Sequence, residues 1–267
     1  MNLPSLLISL SLVGSLAAQK SPALNQKTAV LIIGYEAQDG VVESFDGYAN
    51  FLSSNGIFVY KFYYPKASWE DIVPLANTCS FFLYSGHGCS GCGLDNQYGG
   101  MYSNDFVNAR DIVEELHFEN HPVIIYNHAC GSAGTSDSDP NDIGMKEAIN
   151  RITDTALPFF MSGAGAYFAT NYYGHPGEIL RALFEGKSAT EIFKVQIQSG
   201  DHVVNNKPIV NNPYFNNCNL GISCSKESVN NSNSTVKIEY NFAYVAPPVF
   251  RYVTIEQVAK NWWNEEE

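Results

Sequence analysis

The chain has 267 residues, of which 45% are hydrophobic and only 16% are charged, and its formal net charge is −12. This composition is typical of a globular protein with a sizeable core and excludes an intrinsically disordered chain. No cluster of basic residues occurs along the chain, so nucleic acids and anionic membrane surfaces are poor partners for it.

The first eighteen residues differ from the rest of the chain. The run from Leu6 to Leu16 is apolar and uncharged, and the small residues Ser15 and Ala17 follow the cleavage pattern of secretory signal peptides. The run is too short to span a bilayer comfortably. We therefore predict a signal peptide over residues 1–18, with an N-terminal anchor or a buried strand as the alternatives. The prediction implies a secreted or otherwise extracytoplasmic protein that contacts no membrane once the signal is removed.

Residues 19–267 alternate between short apolar runs and segments with helical spacing of apolar residues. The predicted strands are 28–33, 57–62, 80–84, 123–126 and 157–161, and the predicted helices are 42–54, 69–76, 104–116, 142–153, 177–184 and 189–199. Strands that alternate with helices predict an α/β fold: one domain with a doubly wound, mostly parallel sheet and helices on both faces.

The last third of the chain has a different pattern. The stretch from Asn205 to Asn233 is rich in Asn and contains Pro208 and Pro213, so it predicts a long irregular loop within the domain. Residues 236–245 alternate and predict a late strand at a sheet edge. Residues 254–263 predict a closing helix.

Two of the predicted strands end at turns of small residues that carry reactive side chains. The strand 80–84 leads into Ser85-Gly86-His87-Gly88, and the strand 123–126 leads into Asn127-His128-Ala129-Cys130-Gly131. Side chains beyond the carboxyl ends of neighbouring parallel strands meet at one edge of the sheet. A cysteine beside a histidine is a nucleophile beside a base, so Cys130 and His87 form a candidate catalytic pair. The backbone N–H groups of Gly88 and Cys130 are candidates to stabilise an oxyanion.

Each of these residues also has a simpler interpretation. His87 could be a turn histidine without a role, and Cys130 could be an ordinary buried thiol. His128 lies two residues before Cys130, on the same face of an extended strand, and is predicted to shape the substrate pocket. No Gly-x-Ser-x-Gly element occurs around Ser90 or Ser132, which disfavours a serine hydrolase.

The two turns together resemble those of the caspase-like cysteine peptidases, the group that joins caspases, metacaspases, legumains, gingipains and separases. The turn Tyr84-Ser85-Gly86-His87-Gly88 is similar to the metacaspase histidine turn, and His128-Ala129-Cys130-Gly131-Ser132 is similar to the legumain and caspase cysteine turns. The two reactive residues lie 43 positions apart, at 87 and 130, near the roughly 50 of the caspase signature. The resemblance covers about residues 28–163.

This resemblance implies an endopeptidase that acts on polypeptides through His87 and Cys130 and requires no cofactor and no metal ion. It also implies that Ser162 and Gly163, after the fifth predicted strand, line the substrate cleft. His128 and Ala129 depart from the residues that caspases, metacaspases and legumains carry before the cysteine. No preference for the residue before the scissile bond therefore carries over. The alternative is a non-catalytic secreted binding or structural protein with the same fold.

The six cysteines raise the question of which of them pair, because a secreted protein can form disulfides. They are Cys79, Cys89, Cys92, Cys130, Cys218 and Cys224. With Cys130 kept as a thiol, the simplest scheme pairs Cys218 with Cys224 across a short turn and Cys89 with Cys92, and it leaves Cys79 buried. A zinc site or a redox motif at Cys89 and Cys92 fits the spacing less well than a local disulfide or two thiols.

Overall fold

The structure, a computed structural model, is built around one eight-stranded sheet with two small hairpins beside it. The strands are β1 (Thr28–Ile33), β2 (Phe58–Tyr63), β3 (Phe81–Ser85), β4 (Cys89–Ser90), β5 (Tyr98–Gly99), β6 (Met101–Tyr102), β7 (Phe106–Val107), β8 (Val123–Asn127), β9 (Ala166–Thr170), β10 (Val203–Pro208), β11 (Asn219–Val229) and β12 (Thr235–Ala246). The sheet order is β10-β11-β12-β9-β8-β3-β1-β2. The five strands from β2 to β9 are parallel, and β12, β11 and β10 extend the sheet with antiparallel pairs.

The structure describes residues 26–34, 40–91, 93–94, 98–139, 142–171, 175–196, 203–208, 213–215, 217–229, 235–248 and 250–252. The predicted signal peptide and the predicted closing helix at 254–263 lie outside these residues. Within this part of the chain, no helix combines the length and the apolar character needed to cross a membrane.

Among the described residues, six α-helices cover the two faces of the sheet. They are α1 (Val41–Ser54), α2 (Trp69–Ala76), α3 (Ala109–Glu115), α4 (Met145–Met161), α5 (Pro176–Phe184) and α6 (Ala189–Gln196). Successive side chains of a strand point to opposite faces. In β3, Phe81 and Leu83 join the core under α1, α5 and α6, whereas Phe82 and Tyr84 join the core under α2, α3 and α4. The prediction of a doubly wound, mostly parallel α/β sheet is therefore confirmed.

Helix α3 begins later than the sequence pattern predicts. The side chain of Asn108 accepts hydrogen bonds from the N–H groups of Arg110 and Asp111, and the Asp111 carboxylate accepts one from the Asn108 N–H. This capping box fixes the start of the helix. The preceding residues, which include Asn104 and Asp105, form the hairpin of β6 and β7 instead.

The predicted fifth strand at 157–161 is wrong, because these residues form the last turns of α4. The buried residues Ile152, Thr155, Ala156 and Phe159 follow helical spacing, so the apolar run continues the buried face of the helix. A short apolar run fits a buried strand and a buried helix equally well. The strand lies further along the chain, at β9.

The predicted irregular loop at 205–233 is also wrong in its main part. Strands β10 and β11 occupy most of it, and β11 pairs with β12 along its whole length. Leu220, Ile222 and Cys224 are all buried and alternate with smaller residues, a period of two that the many Asn residues obscure. The late strand β12 is confirmed, but it lies inside the sheet between β11 and β9 rather than at an edge.

Candidate active site

The His87 turn and the Cys130 turn leave the sheet side by side at the same level. Strands β3 and β8 are adjacent and parallel, and their last residues, Ser85 and Asn127, are register partners. The Asn127 Nδ2 donates to Ser85 Oγ at 3.4 Å, and the Thr170 hydroxyl donates to Asn127 Oδ1 at 2.8 Å. These buried polar groups join the ends of three neighbouring strands directly beneath the two turns.

Beyond the strands, the backbones of the two turns are in contact. A Cβ atom added to Gly88 would lie 2.2 Å from the carbonyl oxygen of Cys130 and 2.7 Å from its nitrogen. Only a residue without a side chain allows this approach. The structure therefore brings together the turn that carries His87, which is exposed, and the turn that carries Cys130, which is half-buried.

The backbone N–H groups of Gly88 and Cys130 are the candidate hydrogen-bond donors at this contact. Across the residues that the structure describes, neither the N–H of Gly88 nor that of Cys130 donates to a protein acceptor. By contrast, the N–H groups of Gly131 and Ser132 are used within the turn, by Thr135 O at 2.9 Å and Ala129 O at 3.0 Å. The two N–H groups predicted as oxyanion donors thus lie near each other, and neither donates to a protein acceptor among the described residues.

The hydroxyl of Tyr84 is hydrogen-bonded to the backbone of the His87 turn. It donates to the carbonyl of His87 at 2.7 Å and accepts from the N–H of Tyr102 at 2.9 Å. Tyr84 is fully buried, and desolvation, the largest influence on it, raises the pKa of its hydroxyl well above the usual range. The group therefore stays protonated and keeps donating to the histidine turn across the range in which proteins function.

The Cys130 turn rests on an aromatic ring and a buried arginine. A Cβ added to Gly131 would lie 2.2 Å from the ring of Tyr98, so the ring packs directly on this glycine, whose φ is +77°. The guanidinium of Arg151, in α4, lies over the same ring at 4.3 Å from its centroid. The phenol of Tyr167 donates to Ser132 O at 3.1 Å.

Arg151 also binds the segment that follows the turn. Its Nη1 donates to Asp139 Oδ2 at 2.6 Å and to the carbonyl of Gly134 at 3.2 Å, and its Nε donates to Glu147 Oε1 at 2.9 Å. Desolvation, the largest single influence, lowers the pKa of Arg151, but the hydrogen bonds to these two carboxylates and the charge of Asp139 together raise it above its ordinary value. Arg151 thus ties the segment Gly131–Asp139 to helix α4.

Ser162 and Gly163 do not line this site, which corrects the prediction made for them. The Ser162 carbonyl accepts from the Phe118 N–H at 2.8 Å, and its buried hydroxyl donates to Pro158 O at 2.9 Å. Both residues precede β9, so they lie at the amino-terminal edge of the sheet, opposite the Cys130 turn. The mistake follows from placing a strand before them rather than after them.

His128 lies between β8 and Cys130 with a left-handed φ of +59°. Its N–H donates to Thr170 O at 3.0 Å, and its side chain is half-buried. The prediction that His128 and Cys130 share a face assumed that the alternation of side chains along the strand continues through both. The strand ends at Asn127, so this alternation does not extend to His128. Its role in substrate binding stays a prediction.

The structure tests only part of the predicted disulfide scheme. Cys89 is disulfide-bonded, and its predicted partner, Cys92, lies outside the described residues. The predicted bond between Cys218 and Cys224 is wrong, because both are thiols. They are six residues apart along an extended strand, which separates them by about 20 Å at about 3.3 Å per residue. A disulfide requires Cα atoms within about 7 Å.

Sequence reasoning missed two residues that support the site, and only one of them carried a signal. Arg151 falls at helical spacing with the buried Ala148, Ile152 and Thr155, and a charged residue on an apolar helix face indicates a buried partner. Tyr84 was interpreted only as an apolar strand residue. Its position two residues before the glycine of the turn gave no separate sign that its hydroxyl would reach His87.

We expect Gly88→Ala to disturb the contact between the turns. The added methyl would overlap the Cys130 backbone, so the free energy of unfolding should fall by about 1–3 kcal/mol, and the rate of Cys130 alkylation should change. The matched control is Gly47→Ala, in the middle of α1, where a Cβ meets nothing within 4 Å. This control should be neutral or stabilising, by up to about 1 kcal/mol. Equal behaviour of the two variants in urea unfolding and alkylation would contradict the close packing of the turns.

We also expect the thiols to react in a definite order. Cys79 is fully buried, and desolvation raises the pKa of its thiol far above neutrality. Burial raises the pKa of Cys218 to about 11. Because the thiolate is the reactive form, iodoacetamide at neutral pH should modify the half-buried Cys130 well before these two. Peptide mapping by mass spectrometry gives the order, and labelling of Cys79 as fast as Cys130 in the folded protein would refute it.

The chain has no match among models of known protein families. It likewise has no match among the curated protein sequences. Among solved structures it is similar to the crystal structure of protein GSU0716 from Geobacter sulfurreducens, with 11% sequence identity and a TM-score of 0.42. That similarity covers 85% of this chain and 99% of the other. It is a distant likeness that assigns no family.

Proposed function

We propose that this protein is a cysteine endopeptidase of the caspase-like kind, with Cys130 as the nucleophile and His87 as the base. The observation that carries the proposal is the contact of Gly88 with the Cys130 backbone. This contact sets a cysteine and a histidine on adjacent turns and leaves two N–H groups available beside them. The resemblance of the two turns to those of caspase-like peptidases supports the same chemistry.

The reaction proceeds by acyl transfer. His87 takes the proton of the Cys130 thiol, and the sulfur attacks the carbonyl carbon of the scissile peptide bond. The carbonyl oxygen becomes an oxyanion that the N–H groups of Gly88 and Cys130 stabilise. The imidazolium of His87 then protonates the leaving nitrogen as the C–N bond breaks. Water, deprotonated by His87, hydrolyses the thioester and regenerates the thiol.

The proposal includes export of the protein from the cytosol. Its support is the disulfide at Cys89, because disulfides persist in oxidising compartments and are rare in the cytosol. The apolar amino-terminal segment of the sequence agrees with this proposal.

The deciding experiment combines a peptide library with covalent labelling. The library varies the residue before the scissile bond, and cleavage is followed by mass spectrometry before and after treatment of the protein with an electrophilic peptide ketone. The proposal expects cleavage that persists with a chelator, and modification of Cys130 that ends it. Cleavage that continues after complete labelling of Cys130 would place the chemistry elsewhere. No cleavage by the folded protein, before or after limited proteolysis, would favour a non-catalytic binding protein.

A further inference from the structure

Two aromatic side chains extend the site on the side of His87. The Tyr102 ring stands nearly perpendicular to the imidazole, with centroids 6.2 Å apart and an interplanar angle of 86°. The Phe106 ring contacts Tyr102 at a centroid distance of 4.9 Å. Phe106 is 38% exposed and Tyr102 is half-buried. Together the two rings form an apolar surface next to His87, which we call the aromatic ledge.

The ledge is held in place both by the core, in which Met101 and Val107 of its hairpin are buried, and by hydrogen bonds. Tyr102 and Phe106 are paired across the hairpin of β6 and β7. At its tip, Asn104 donates its N–H to Ala67 O at 3.0 Å and accepts from the Ala67 N–H through Oδ1 at 2.9 Å. At its base, the Tyr102 N–H donates to Tyr84, whose hydroxyl also holds the His87 carbonyl. The rings are therefore presented on a braced backbone, which lowers the entropy lost when a ligand binds them.

An exposed aromatic ring is not by itself a binding site, since single exposed apolar residues are common. The described residues include five exposed large hydrophobic side chains: Val42, Tyr64, Phe106, Val195 and Tyr214. Phe106 differs because its ring continues, through Tyr102, to the ring of the candidate base. The ledge is thus continuous with the site at which we place the chemistry.

The position of the ledge indicates which part of a substrate it meets. The group that protonates the leaving nitrogen must lie on the leaving side of the scissile bond. Side chains that pack against His87 are therefore placed to meet the residues that follow that bond. We propose that the aromatic ledge binds an apolar, preferably aromatic, side chain at the first position after the scissile bond. This inference rests on the proposed function and adds the substrate class.

The first measurement compares peptides that differ only in the residue after the scissile bond. Phe or Leu at that position should raise kcat/KM over Gly by about tenfold to a hundredfold, the range that an apolar contact in a pocket provides. Phe106→Ala should reduce this ratio about tenfold, and Phe106→Leu should restore part of it. Tyr214→Ala, which removes a 50% exposed ring away from the site, is the matched control and should leave the ratio unchanged.

A second measurement does not depend on cleavage. The dipeptide amides Phe-Gly and Gly-Gly stand in for the leaving segment, and each is tested for protection of Cys130 from iodoacetamide. The ledge is supported if Phe-Gly protects Cys130 and Gly-Gly does not, and if this protection is lost in Phe106→Ala and kept in Tyr214→Ala. This result supports the ledge even if no substrate has been found. Equal protection by both amides, or protection that survives Phe106→Ala, overturns it. Cleavage with an unchanged ratio in Phe106→Ala would refute the ledge and leave the peptidase proposal intact.

Discussion

Replacing Cys130 with alanine or His87 with alanine should each reduce peptide cleavage by about a thousandfold or more. The two side chains act as one unit, because the thiol is a poor nucleophile without its base and the base has nothing to activate without the thiol. The double variant should therefore lose little beyond either single variant. Steady-state kinetics with the best library peptide measures all three values of kcat.

Two substitutions serve as controls for this cycle. His117 is an exposed histidine, and its backbone N–H donates to Asn77 Oδ1. Cys218 is a buried thiol away from the turns. His117→Ala and Cys218→Ala should both retain the wild-type kcat. Losses in the two single variants that multiply in the double variant would mean that the residues act independently. That result would contradict a catalytic dyad.

Arg151→Met should lower the free energy of unfolding by about 3–5 kcal/mol, the usual cost of removing one member of a buried ion pair. The side chains of Arg151 and Asp139 are only 9% and 7% exposed, so the substitution leaves a carboxylate with little access to water. The substitution also removes the bond to Gly134 O and the contact with the Tyr98 ring. Urea unfolding followed by circular dichroism measures the loss.

The pair of carboxylates around Arg151 provides the comparison. Glu147 is 41% exposed, so Glu147→Gln should cost no more than about 1 kcal/mol, as for other solvent-screened pairs. Adding Asp139→Asn to Arg151→Met should recover part of the stability, because the unpaired charge is then gone. If Arg151→Met and Glu147→Gln destabilise the protein equally, the buried network does not hold the Cys130 segment.

The parallel part of the fold was predictable because its signals are local. The fully apolar runs of β1, β3 and β8 end at glycine or polar turns, and buried parallel strands have this pattern. Helix α2 begins and ends where its spacing indicates. The antiparallel extension was not predictable in the same way. Strand β11 is stabilised by pairing with β12, and its own sequence is rich in residues that favour turns.

For the site, the sequence indicated which turns would meet but not what supports them. His87, Gly88 and Cys130 follow two strands that the alternation of elements makes neighbours. The support comes from Tyr98 and Arg151, whose contacts depend on where a short hairpin and the long helix α4 cross the turn. Such contacts join residues distant in sequence, and no period or motif encodes them. The same limit applies to the predicted cleft residues. Their side of the sheet changed because the strand predicted at 157–161 lies nine residues further on, at 166–170.

The hydroxyl of Tyr84 has an evolutionary consequence. A single oxygen bonds both to the backbone of the hairpin that carries Tyr102 and to the backbone of His87. Mutations that reshape the hairpin therefore also displace the histidine, so their effects are pleiotropic. Under our proposals, a lineage of such proteins could not reshape the backbone of this hairpin without also altering how fast it works. New selectivity would arise most readily through exchanges of exposed side chains, such as that of Phe106, that leave this shared bond in place.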